Sequence, residues 1–352
     1  MNASTRIGIA CVGAGDWGKN QIRVFAALPS ADLRYIVDVS PQAVAAMRSR
    51  YPDTTVTSDL KQVLADSAVR AVVIASPAPS HYVAARAALL AGKDVFIEKP
   101  MVLELKQGEE LVELADRAGL LIQTGHLLLF HPAVAHLKEL VHRGELGNLH
   151  YIYTQRLNLG TVRTEENALW SLAPHDISLA NYLFDAEPTA VSAEGGRFLQ
   201  QTIEDVAFLH LHYPNNRLAH IHVSWLDPHK TRRVTLVGSR KMAVFDDRDP
   251  SEKLRIYDRG VGGESYETFP ESFNVRIGDI VIPNISNAEP LRLQAEHFVK
   301  CVATRSRPLV GGREGLSVVK TLQDADQLLK AHNDSEVTHS DTDVEPKRQK
   351  GR

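Results

Sequence analysis

Lys99 stands in Glu98-Lys99-Pro100, directly after the apolar run Val95-Phe96-Ile97. Apolar residues followed by a proline corner mark the carboxyl end of a buried strand, the end at which open α/β sheets bind ligands. A lysine held there can project over a nicotinamide and hydrogen-bond a substrate hydroxyl. That favours the alkoxide character that develops as hydride leaves. Spacing alone leaves a surface loop lysine as the alternative. A second constellation precedes it: Gly13-Ala14-Gly15-Asp16-Trp17-Gly18, a G-x-G-x-x-G placed between a strand-like run and a helical pattern. Its first glycine permits the tight turn, its second lets backbone approach a pyrophosphate, and its third allows close helix–strand packing. Asp38 lies twenty residues after Gly18 at the end of the next apolar run. A carboxylate there can accept both adenosine ribose hydroxyls and repel a 2′-phosphate, so NAD is expected over NADP, with Arg34 the residue that weakens the preference. The alternatives are a structural glycine turn and a solvated acid.

These residues need elements to position them. Strand-like runs at Arg6–Val12, Leu33–Asp38, Thr54–Thr57, Ala71–Ala75, Asp94–Ile97 and Leu120–Thr124 alternate with helical patterns at Asn20–Leu28, Pro41–Tyr51, Asp59–Ala65, Ser80–Ala91 and Leu105–Ala118. Near-continuous β-branched runs such as Ala71–Ala75 fit strands covered on both faces, so residues 1–123 are expected to form a Rossmann-type, doubly wound parallel sheet. After Gly125 the pattern changes. A helix at Pro132–Arg143 leads into alternating strands at His150–Leu159, Ala190–Phe198, Val206–Tyr213, Leu218–Trp225, Arg232–Val237 and Lys241–Asp246. Turn signals at Pro214-Asn215-Asn216 and Gly238-Ser239 separate them, and helices are expected at Ser178–Phe184, Glu289–Thr304 and Gly315–Ala331. Residues 124–331 therefore read as an α/β domain with a large, mainly antiparallel or mixed sheet. The polar, charged stretch 332–352 reads as a disordered tail.

Composition narrows the function classes. Of 352 residues, 43% are hydrophobic and 24% charged, with a net charge of −3, so neither nucleic-acid binding through a basic excess nor a membrane span is expected. The start Met1–Arg6 lacks the apolar segment of a signal peptide, and Cys11 and Cys301 cannot build a disulfide framework, which suits a cytoplasmic protein. No metal site is expected among the 15 histidines. His126, His131 and His136 are five apart, about 140° per step on a helix, and share no face. His210, His212, His220 and His222 fall on one sheet face, better suited to subunit contact than to ligation.

Taken together, Gly13–Gly18, Ser76-Pro77-x-x-x-His81, Ala88-x-x-Ala91-Gly92-Lys93 and Glu98-Lys99-Pro100 resemble the glucose–fructose oxidoreductase/inositol dehydrogenase (Gfo/Idh/MocA) family over residues 6 to 331. The resemblance implies an NAD(P)-holding Rossmann domain and a second α/β domain whose open sheet supports a homodimer or homotetramer. It also implies a catalytic role for Lys99, and cofactor contacts from Gly13, Gly15, Asp16, Trp17, Gly18, Asp38, Ser76, His81 and Glu98. Family members carry a proton-accepting histidine in the second domain, and the matching position is His175 in Ser171-Leu172-Ala173-Pro174-His175-Asp176. Asp176 beside it could instead cap a helix. Many relatives have aspartate where Ser171 stands, and a serine supplies no charge to Lys99.

Arg156 to Arg163, Asn167 to Ile177, Gly125-His126, Phe130-His131-Pro132 and Ser224 to Pro228 further resemble a nucleotide-sugar dehydrogenase branch, which oxidises the C3 hydroxyl of UDP-N-acetylglucosamine or its uronate. Arg156 and Arg163 could then clamp a carboxylate or pyrophosphate, or be plain exposed arginines. The expected activity is hydride transfer between NAD and a sugar secondary alcohol. The rivals are a dehydrogenase of free inositols or aldoses and a catalytically silent NAD-binding sugar sensor.

Overall fold

The computed structural model describes residues 6–160, 162–261 and 275–340. Its first sheet comprises β1 (Ile7–Val12), β2 (Ala31–Val37), β3 (Thr55–Thr57), β4 (Ala71–Ile74), β5 (Asp94–Ile97) and β6 (Ile122–Thr124). All pairs are parallel, in the order β3-β2-β1-β4-β5-β6. This is the doubly wound order, and it reverses between β1 and β4, where a crevice opens at the carboxyl ends. Helices α1 (Gly18–Ala27), α2 (Pro41–Arg50), α3 (Leu60–Ala65), α4 (His81–Leu90) and α5 (Leu105–Ala118) cover the sheet. Local chemistry sets their ends. The Ser40 hydroxyl accepts from the Ala43 amide with Pro41 in the first turn of α2, Asp59 caps α3, and Gly119 ends α5 at a φ of +63°.

The second half contains α6 (Pro132–His142), β7 (Leu149–Leu157), α7 (Ala168–Leu172), α8 (Pro174–Phe184), β8 (Ala190–Gly196), β9 (Val206–Tyr213), β10 (Arg217–Ser224), β11 (Thr231–Gly238), β12 (Met242–Asp246), β13 (Leu254–Val261), β14 (Val275–Val281), α9 (Pro290–Thr304) and α10 (Gly312–Ser340). Its strands form one sheet in the order β14-β13-β12-β11-β7-β10-β9-β8, antiparallel at every described pair except β7–β10. One face is buried under α6, α8 and α10, with Ile152, Leu209, Ile221 and Leu236 fully enclosed. Among the described residues no helix covers the opposite face. There His220 pairs across the ladder with His210 at a ring separation of 4.6 Å, and Phe208 stacks on His222 at 4.4 Å.

Both sheets thus have the expected class, but several boundaries move. β8 ends at Gly196 because Asp205 Oδ2 takes the Phe198 and Leu199 amides at 2.7 and 2.8 Å and turns the chain out of the sheet. β13, β14 and α7 were not anticipated. Arg255, Asp258 and Arg259 break the apolar run of β13, and β14 is an edge strand exposed along its length, so neither shows a buried stripe. The stretch expected to be disordered from residue 332 is helical as far as Ser340, continuing α10, and residues 341–352 lie outside the described residues. His126 and His131 precede α6 instead of lying in it, so helical spacing does not govern them.

The chain after residue 123 builds the core of the second sheet and also contributes to that of the first. α9 returns to the first sheet and wedges Phe298 between Phe25 and Phe96, with ring centroids 6.4 and 5.7 Å apart in edge-on contacts. Arg23 on α1 pairs with Glu289 at the start of α9. Helix α9 therefore ties the second half of the chain to α1 and the first sheet.

Candidate active site

The three motif glycines have three different surroundings. Gly13 adopts φ +96°, and a Cβ there would lie 2.5 Å from the Ser76 amide nitrogen. A Cβ on Gly18 would lie 2.1 Å from the Gly13 carbonyl oxygen, so the helix can sit this close only without one. Gly15 has nothing within 4 Å of that position. Bare backbone facing open space at the amino end of α1 is what a pyrophosphate needs. Asp38 is oriented from both sides: Oδ2 accepts the Ala14 amide at 2.6 Å and Oδ1 the Ser40 amide at 2.8 Å. Its remaining lone pairs can take ribose hydroxyls. Arg34 is held by Asp32 at 3.1 Å and Asp66 at 3.4 Å, beside Gly8 at the opposite end of β1. The residues present therefore fit NAD. Asp16 is exposed and pairs with Lys19 at 3.5 Å, whereas Trp17, 44% exposed, lines the crevice.

Beside the glycine loop lies a cavity of about 540 Å³ between the two sheets. Lys99, His175, Glu98 and Ser76 all line it. Glu98 is buried, with Oε1 accepting from Gln21 at 2.5 Å and Oε2 from the Lys99 amide at 3.2 Å, and burial raises its pKa. The Lys99 ammonium donates to the Ser171 carbonyl at 3.0 Å. Burial lowers its pKa, opposed by Glu166 and Glu98 and reinforced by Arg163 and Arg156. His81 has Nδ1 2.8 Å from the Pro100 carbonyl and Nε2 2.8 Å from that of Ser76. Burial lowers its pKa, so the neutral ring donates to one of these carbonyls at a time; it ties the Ser76 loop to the Lys99 corner and lines the cavity.

His175 lies in the first turn of α8, which begins at Pro174 and not near Ser178 as expected. Its Nδ1 is buried without a partner among the described residues. Burial holds its pKa well below the ordinary value, helped by the charges of Arg156 and Lys99. The imidazole is therefore neutral and able to accept a proton. Asp176 caps nothing. It is 1% exposed and holds Arg156 through Nε at 2.6 Å and Nη2 at 3.3 Å. This buried pair pins the strand β7 to the turn carrying His175.

Sequence reasoning missed several residues. His126 is 1% exposed, neither ring nitrogen has a partner among the described residues, and burial beside the Lys99 charge lowers its pKa to about 3. Glu166, Arg232, Asp247 and His131 line the cavity, whereas His126 lies behind the lining residues Gly125 and Leu127. Gly125-His126 and Phe130-His131-Pro132 stood out in the sequence only through the branch resemblance, with no chemical role attached to either histidine. Glu166, Arg232 and Asp247 come from separate segments that no spacing links. Among the described residues no group of three or more histidine, cysteine, aspartate or glutamate side chains could hold a metal, and no helix is long and apolar enough to cross a membrane.

Comparison with known proteins agrees with this geometry. Residues 7–126 match the model of an oxidoreductase family with an NAD-binding Rossmann fold, GFO/IDH/MocA, and residues 134–244 match the C-terminal domain of the same family. A UDP-N-acetylglucosamine 3-dehydrogenase of Acidithiobacillus ferrooxidans is 25% identical over 309 residues, 88% of this chain and 92% of that one. An inositol 2-dehydrogenase of Acidothermus cellulolyticus is 32% identical over 199 residues, 55% of this chain and 58% of that one. Among solved structures, the Acidithiobacillus ferrooxidans enzyme superposes with a TM-score of 0.80 at 23% identity, covering 93% of this chain and 99% of that one.

Proposed function

The chain belongs to the Gfo/Idh/MocA family of NAD(P)-dependent oxidoreductases, and on that premise we propose that it oxidises a secondary alcohol of a sugar, at C3 of a UDP-N-acetylhexosamine or its uronate. The observation that carries the reading is the 3.0 Å hydrogen bond from Lys99 Nζ to the Ser171 carbonyl. It sets an ammonium from the first half four residues from the imidazole of His175, on the wall of one cavity. The near full-length likeness to a UDP-N-acetylglucosamine 3-dehydrogenase supports the choice of sugar.

NAD, when bound on Gly15 and Asp38, supplies the hydride acceptor. The rest is the work of the chain's own side chains. Lys99 turns its ammonium from the Ser171 carbonyl to the substrate hydroxyl and stabilises the developing alkoxide. Neutral His175 accepts the hydroxyl proton and returns it in the reverse direction. Glu98 and His81 fix the lysine corner, and Trp17 shields the crevice mouth. The uncovered sheet face, with Phe208, His210, His220 and His222, fits a second copy of the chain, giving a homodimer or homotetramer.

The test is turnover with UDP-N-acetylglucosamine and NAD in Lys99→Met and His175→Asn. Each should lose about 100- to 10,000-fold in kcat, with NADH still bound. Unchanged turnover in both variants overturns the site, and NAD reduction with inositol but not with the UDP-sugar selects the second reading, an inositol dehydrogenase, which the 32% identical relative favours.

A further inference from the structure

Arg156 on β7 and Arg232 on β11 are direct cross-strand partners. Both continue core-facing rows, after Ile152 and Thr154 on one strand and before Val234 and Leu236 on the other, all four of them buried. A guanidinium is the wrong residue for such a row, and two like charges opposed on one ladder repel. Arg156 is neutralised by its buried bidentate contact with Asp176. Arg232 has no such answer: its contact among the described residues is one of 3.5 Å to Asp247, and its side chain is 44% exposed. A guanidinium has five donors, so most of those on Arg232 remain unspent. Both arginines line the cavity that holds Lys99 and His175, and Asp176, the anchor of Arg156, is the residue next to His175. Arg163, paired with Glu166 at 3.0 Å, lines it too.

We infer that Arg232, backed by Arg156, forms a subsite for an anionic group of the substrate, a carboxylate or a phosphate close to the carbinol that Lys99 and His175 address. This rests on the reading of those two residues given above. Planar guanidinium donors suit either anion bidentately, and the loose Asp247 contact lets Arg232 turn to a ligand. An anion on Arg232 must displace Asp247, whose contact is long at 3.5 Å, whereas Arg163 is held by Glu166 at 3.0 Å. A neutral polyol offers hydroxyls to these donors but nothing to offset the opposed charges.

The experiment is calorimetric titration of the NADH-loaded protein with two matched pairs, UDP-N-acetylglucosamine against N-acetylglucosamine and glucuronate against glucose. At least one anionic member should bind about tenfold or more tighter than its neutral partner, and which pair shows the gap tells phosphate from carboxylate. Arg232→Gln should weaken the anionic sugar about 10- to 100-fold and leave the neutral one unchanged, with Arg232→Lys between. Equal affinity within both pairs, no sugar binding at all, or full anion affinity in a folded Arg232→Gln protein overturns the subsite. Anion-selective binding lost in Arg232→Gln but without NAD reduction upholds the subsite and sinks the hydride-transfer reading instead.

Discussion

The Lys99 ammonium reaches 72 residues along the chain to donate to the backbone carbonyl of Ser171 at 3.0 Å. The acceptor lies in the last turn of α7, where carbonyls lack helical donors and carry the negative end of the peptide dipoles. A backbone oxygen thus holds the ammonium at a position whose side chain, a serine, has no charge to offer. Substrate hydroxyl and carbonyl can exchange on the ammonium without an ion pair being broken.

The first prediction concerns pH. Burial lowers the pKa of both His175 and Lys99. His175 is neutral above its depressed value, so kcat/KM for alcohol oxidation should show no acid limb at about 6.5, the ordinary histidine value, but one at lower pH. Lys99 must keep its proton to donate, so the alkaline limb should fall below about 10.4, the ordinary lysine value. In Lys99→Arg, where activity survives, the alkaline limb should disappear, because guanidinium stays protonated. An unchanged alkaline limb in that variant would assign it to another group.

Two glycines should fail in different ways. A Cβ on Gly18 meets the Gly13 carbonyl, whereas one on Gly15 meets nothing within 4 Å. Gly18→Ala should lower the melting temperature by several degrees, for a cost of about 1–3 kcal/mol from overpacking. Gly15→Ala should melt like the parent and lose about tenfold or more in NADH affinity. Melting curves and NADH titration of the two proteins separate the cases.

Asp38 should govern cofactor choice. Its oxygens are fixed by the Ala14 and Ser40 amides, and Arg34 is occupied at the far end of the strand. Asp38→Ser should raise KM for NAD about 10- to 100-fold and shrink the preference over NADP, since both the ribose acceptor and the repulsion of a 2′-phosphate go. Steady-state kinetics with both cofactors read this, and an unaltered NAD-to-NADP ratio would remove Asp38 from the ribose site.

His126 should make stability sensitive to acid. Its pKa in the fold is about 3, against about 6.5 when unfolded. Because the folded value is the lower one, the unfolded chain binds a proton that the native chain refuses as pH drops below about 6.5. The resulting loss, absent at neutral pH, reaches about 2 kcal/mol at pH 5 and grows until the folded value is passed. Urea unfolding of His126→Gln should therefore lose less stability between pH 7 and pH 5 than the parent, by about that amount. Equal losses would mean that His126 is not held neutral.

Much of the first half was legible because its signals are local. A strand, a glycine turn, a helix and an acid at the next strand end follow one another within about thirty residues, and β-α-β chirality and sheet order follow from short connections. The second half was legible as alternating strands and four helices, but not in how they pack. β13 and β14 escaped because charges interrupt one and exposure runs along the whole of the other. The extension of α10 escaped because polar composition does not reveal a helix that is already nucleated. The place of His81 between the Ser76 and Pro100 carbonyls was not legible either, because it joins two loops that only the fold brings together.

What the sequence by itself determined is the kind of chemistry. A phosphate cradle, a ribose acid and a lysine at a strand end are each specified by neighbours within a few residues, through backbone sterics and strand periodicity. Only the tertiary structure decided who meets whom. The grip of Lys99 on Ser171, the wedge of Phe298 in the first core and the facing of Arg156 with Arg232 depend on sheet register and on how the two sheets pack. Such contacts join residues far apart along the chain and leave no periodic trace, because packing rewards the fit of two surfaces and not the spacing along either one.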